Sequence, residues 1–164
     1  MDNKKLVNLL STFAVFLMIP LVFSAFFDGY SVVSKGVQTN APIRISIFEY
    51  LNQRSVILAF SFVFALVLVL TILVGIVYSI KLSVSGGKGG ILRFYTSIIT
   101  IVSAILTFVF TLSYCTSHSG ASGSASLTYK VGGCMILMLV CGVVIGTLNL
   151  VCYFLENKKN KSQK

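Results

Sequence analysis

Cys115-Thr116-Ser117-His118 sets a thiol and the chain's single imidazole three residues apart, half of the ligand set that a zinc ion requires. Cys134 is the one further donor near enough in the chain to join them, and no metal motif results, so neither a metal nor another cofactor is expected. Cys115 and Cys134 support a simpler chemistry. They fall at corresponding ends of two consecutive apolar blocks and could close a disulfide in an oxidising compartment, the alternative being two free thiols. Cys141 and Cys152 lie deeper in the last block, where cysteine behaves as a small hydrophobe.

Ser85-Gly86-Gly87-Lys88-Gly89-Gly90 has the glycines and lysine of a phosphate-binding loop but not their spacing. A Walker loop requires glycine where Leu82 stands and serine or threonine where Gly89 stands. The segment reads as a flexible turn. No Asp, Glu, Lys or Arg falls inside the apolar blocks, so the usual groups for proton relay, ion coupling or intramembrane acid–base work are missing, and an enzyme is not expected.

Two patterns remain. Thr96, Thr100, Ser103, Thr107 and Thr111 recur at spacings of four, three, four and four, which places them on one face of a helix. Such a stripe can pack against a neighbouring helix through hydroxyls and small side chains, or line a path through an oligomer. Gly142 and Gly146 form a Gly-x-x-x-Gly pair with Asn149 on nearly the same face, an arrangement that lets two backbones approach and a side-chain amide bond across the contact. In the first block Pro20 removes one backbone donor and predicts a kink.

The elements that must carry these residues follow from composition. The chain of 164 residues is 56% hydrophobic and only 10% charged, the balance of a membrane protein. Its apolar residues gather into charge-free blocks at 6–27, 55–80, 94–115 and 131–155, which are 22, 26, 22 and 25 residues long. About 20 helical residues cross a hydrocarbon layer roughly 30 Å thick. The blocks lack the charged face of a soluble bundle and the alternation of membrane β-strands. The expectation is an all-α integral membrane protein, one membrane domain over 1–164, folded as a bundle of four transmembrane helices.

Charge placement predicts its direction. With both termini in the cytoplasm, Lys4, Lys5, Lys81, Lys88, Arg93, Lys158, Lys159, Lys161 and Lys164 lie inside, while Lys35, Arg44, Arg54 and Lys130 lie outside. Nine against four follows the positive-inside bias. All seven tyrosines, Tyr30, Tyr50, Tyr78, Tyr95, Tyr114, Tyr129 and Tyr153, stand at or near block ends, where an interfacial belt is expected. The first block, preceded by Lys4 and Lys5, is longer than the core of a secretory signal, so it is expected to be kept; its cleavage would leave three spans and a cytoplasmic carboxyl end.

The outer link 28–54 is the largest segment outside the blocks. Its second half fits a helix through Ile43, Ile47 and Leu51 or a strand through Ile43, Ile45 and Ile47, and a short interfacial helix is the preferred reading. The link 116–128, rich in Ser, Gly and Ala, predicts a mobile exposed connection. The basic cytoplasmic tail 156–164 carries Lys158, Lys159, Lys161 and Lys164 against one glutamate and is expected to rest on anionic lipid headgroups, each lysine contributing on the order of 1 kcal/mol. Nucleic acid is not an expected partner, because no aromatic residue interleaves with those charges after Phe154.

Four spans, inside termini and a larger first outer link resemble the layout of claudin-like tetraspans. Residues 28–54 contain neither tryptophan nor cysteine, which those proteins carry in that loop, so no function is carried over. The functional expectation is a non-enzymatic, multi-pass protein of the cell membrane that acts through helix–helix or partner association, as a homo-oligomer or as a subunit of a membrane complex. The alternative is a small oligomeric channel or transporter whose path is lined by the Thr/Ser face of the third span.

Overall fold

A computed structural model describes residues 3–35, 42–85, 90–122 and 125–161. Among them are four helices long and apolar enough to cross a membrane. They are α1 (Asn3–Ser24), α2 (Val56–Ser85), α3 (Ile91–His118) and α4 (Gly133–Lys161). Uninterrupted Leu, Ile, Val and Phe runs bond their own backbone groups in helices and need no outside partner in lipid. α1 continues through Pro20 to Ser24. α1 packs on α4, α4 on α3 and α3 on α2, while α1 meets α2 only slightly. Met18, Leu21, Leu68, Ile72, Met138 and Ile145 fill the centre.

The expectation of an all-α chain is corrected by a four-stranded sheet at one end of the bundle. Strands β1 (Asp28–Lys35), β2 (Ile43–Ser46), β3 (Gly120–Ser122) and β4 (Ala125–Val131) lie in the order β2-β1-β4-β3, with every pairing antiparallel. The central β1–β4 pairing runs from Tyr30↔Val131 to Lys35↔Ser126 and fastens the first link to the third.

The preferred interfacial helix in the first link is also corrected. Strand and helix templates both apply, one after the other: β2 covers Ile43–Ser46, and a 3-10 helix follows over Ile47–Gln53. The Ser46 N–H donates to the Glu49 carboxylate at 2.8 Å and starts that helix; Arg54, with φ at 48°, ends it in the left-handed region. The third link is not a loose connection. α3 runs on to His118, and β3 pairs with β4, which uses β1 as its template. Gly86, Gly87, Lys88 and Gly89 lie outside the described residues.

Candidate functional site

The predicted hydroxyl stripe faces the inside of the bundle. Thr100, Ser103, Thr107 and Thr111 are buried, and Thr96 is half-buried at the margin, where Ser97 takes the interior position. Most of these hydroxyls are occupied by their own helix. Thr96 donates to the carbonyls of Leu92 at 3.0 Å and Arg93 at 3.1 Å. Ser97 donates to that of Arg93 at 2.5 Å, Thr100 to Thr96 at 2.7 Å, and Thr107 to Ser103 at 2.7 Å. Intrahelical back-bonding of this kind satisfies the hydroxyl where no water reaches it. The stripe leaves its helix at one level: Ser61 of α2 donates to the Thr107 carbonyl at 2.9 Å and lies 2.8 Å from the Thr111 hydroxyl.

The glycine pair packs on that same helix. A methyl group on Gly142 would stand 2.6 Å from the Ala104 side chain, and one on Gly146 would collide with Ile101 and lie 2.9 Å from the Ser97 carbonyl oxygen. The missing side chains therefore allow α3 and α4 to close against each other. Asn149 is half-buried, and among the described residues its side chain makes no hydrogen bond.

Toward the sheet, the stripe ends in an aromatic cluster. Tyr30 is 1% exposed and Tyr50 fully buried, so these two are core residues of the sheet end rather than members of an interfacial belt. The Tyr30 ring lies 5.6 Å from Tyr50, 5.4 Å from Tyr114 and 6.1 Å from Tyr129. The Tyr50 hydroxyl reaches Thr111 at 3.4 Å. Burial raises both the Tyr30 and the Tyr50 phenol well above the ordinary tyrosine range, and the neighbouring Tyr114 raises Tyr30 further. Space for the Tyr50 ring comes from Gly29, where any Cβ would collide with it.

His118 stacks on Tyr114 with ring centroids 4.1 Å apart, and its Nδ1 lies 3.0 Å from both the Tyr114 carbonyl oxygen and the Ser117 hydroxyl. It is exposed, whereas Cys115 is buried and Cys134 half-buried. All four cysteines are free thiols in this structure. Among the described residues no three His, Cys, Asp or Glu side chains converge as a metal site would require.

At the opposite end of the bundle is a pair that the division into apolar blocks did not anticipate. Arg93 Nη1 donates to Glu156 Oε1 at 2.8 Å, and the two side chains are 6% and 16% exposed. Arg93 also reaches the Ser11 hydroxyl of α1 at 3.4 Å, so three helices meet at one guanidinium. The expectation that charge stays outside the spans is thereby corrected, since both residues lie in helices that can cross a membrane. They stand one position outside blocks 94–115 and 131–155. Opposite signs at the adjoining ends of consecutive spans were the signal available. Lys158, Lys159 and Lys161 continue α4, and Lys164 lies outside the described residues.

No protein-family model matches the chain, and a search of curated proteins finds no match either.

Proposed function

We propose that this chain is a non-enzymatic protein of the cell membrane, with both termini in the cytoplasm and the sheet outside, that acts by association with further copies or with a membrane partner. The observation that carries this reading is how the bundle uses its polar groups. The hydroxyls of Thr96, Ser97, Thr100 and Thr107 bond to backbone, that of Thr111 meets Ser61 and Tyr50, and glycine closes α4 on the same face. Large apolar side chains face outward along the helices, among them Phe13, Phe16 and Phe23 of α1 and Leu70 and Val77 of α2. A bundle that spends its hydroxyls internally and presents hydrocarbon sideways suits lipid or a neighbouring helix.

The test is affinity purification from native membrane in mild detergent, followed by mass measurement of the intact complex. A stoichiometric partner or a defined homo-oligomer is expected; a bare monomer at every detergent concentration would refute the proposal.

The oligomeric channel or transporter reading asks the stripe from Thr96 to Thr111 to line a path, and the hydroxyl bonds just described weigh against it. Liposomes dense with the purified protein should therefore remain ion-tight and water-tight. The lysines that follow Asn157 are assigned to anionic headgroups on the cytoplasmic side, a contact that high salt should release.

A further inference from the structure

The two faces of the sheet differ sharply. Tyr30, Val32, Ile45, Tyr129 and Val131 pack toward the core. Side chains alternate along a strand, so Ser31, Val33, Arg44, Thr128 and Lys130 belong to the face turned away from the helices. The register aligns three of these in one row: Arg44 of β2 opposes Ser31 of β1, and Ser31 opposes Lys130 of β4. With neighbouring strands about 4.8 Å apart, the two basic residues stand roughly 10 Å from each other across a serine.

We infer that this row is a binding surface for an anionic glycan, one bearing sulfate or carboxylate groups. The inference rests on the proposed orientation with the sheet outside. Arg44 is 68% exposed and bound to one acid, Asp28, at 3.3 Å; Lys130 is exposed and has no ion-pair partner among the described residues. The hydroxyls of Ser31 and Thr128 lie between and beside the cations, where they can bond sulfate oxygens or sugar hydroxyls. A protein partner would find no aromatic or large apolar anchor, because Val33 is the sole hydrophobic residue in this set, and protein interfaces depend on such anchors. Lipid of the protein's own membrane lies behind the sheet, on the side of the helices.

The experiment uses the full chain in intact cells that lack sulfated glycans, with a fluorescent heparin oligosaccharide as probe. Saturable binding is expected. The double variant R44S/K130S should weaken it by about tenfold or more, since two charge-assisted contacts disappear. R44K/K130R should restore it, and D28N should strengthen it by releasing Arg44. Equal binding by wild type and R44S/K130S, or no binding by wild type, overturns the inference. Binding of a poly-glutamate peptide through the same residues without heparin also overturns it, in favour of an acidic protein. Ser31→Cys in a C134S background separates the two readings. Labelling by an impermeant maleimide on intact cells supports the orientation whatever the glycan does, whereas labelling only after permeabilisation fails the orientation and the glycan surface with it.

Discussion

Arg93 and Glu156, 63 residues apart in the chain, meet at 2.8 Å where α3 and α4 come together at the end away from the sheet. One oxygen of Glu156 is satisfied by the guanidinium; the other, Oε2, is buried without a partner. A carboxylate so placed depends on its single cation, because desolvating two charges costs several kcal/mol each and only their mutual contact offsets it.

Removing either member should therefore cost more than removing both. Arg93→Met and Glu156→Met are each expected to destabilise the detergent-solubilised protein by about 3 kcal/mol, and R93M/E156M by much less. A double-mutant cycle on thermal unfolding reads the coupling directly. Additive losses in that cycle would show that the pair contributes nothing as a pair.

Gly142 and Gly146 of α4 should not be equivalent to Gly75 of α2. Gly146→Ala drives a methyl group into Ile101 and the Ser97 carbonyl, and Gly142→Ala meets Ala104 at 2.6 Å, so each should cost about 1–3 kcal/mol by forcing α3 and α4 apart. Gly75→Ala is the control, since its new methyl lies an ordinary 3.6 Å from Met18 and helix propensity favours alanine. Equal stability of all three variants would mean that α4 does not close on α3 through these positions.

The four helices were legible because each is a continuous apolar run, a signal that needs no partner to interpret. The sheet was not, because its strands owe their conformation to one another. The serine, glycine and alanine around β3 have little strand preference alone, and β4 is ordered by β1 through pairs such as Val33↔Thr128, almost a hundred residues apart. Tyr30 and Tyr50 mark block ends in the sequence, but the sheet draws both rings inward. The Arg93–Glu156 pairing is not legible in the apolar blocks, because a block bounded by its first charge cannot include that charge. Along the hydroxyl stripe Thr100, Ser103, Thr107 and Thr111 are buried, with Ser97 in the interior position where the spacing offers Thr96.

The tyrosine cluster predicts an alkaline limit to stability. Tyr30 and Tyr50 stay protonated in the fold at pH values where an unfolded tyrosine, with its ordinary pKa of 10.0, ionises. The folded state then holds more protons than the unfolded one, so this contribution is complete below pH 10 and falls as pH rises above it. Tyrosinate absorbance should show a cooperative step above pH 10, coincident with loss of helix packing. Y30F/Y50F should diminish that step; an unchanged titration would place the buried phenols elsewhere.

Thiol labelling tests both the orientation and the state of the cysteines. Cys115, Cys141 and Cys152 are buried and Cys134 is half-buried near the sheet end of α4, so an impermeant maleimide should reach Cys134 first. If the sheet is outside, intact cells should be labelled at that one residue, and Cys134→Ser should abolish the signal. Labelling that appears only after a membrane-permeant reductant would mean that Cys134 is held in a disulfide, with Cys115, near the sheet end of α3, the expected partner. Labelling that appears only after permeabilisation, with no reductant needed, would instead turn the bundle over: Arg93 and Glu156 would then lie on the outer side, and the row of Arg44, Ser31 and Lys130 would face the cytoplasm.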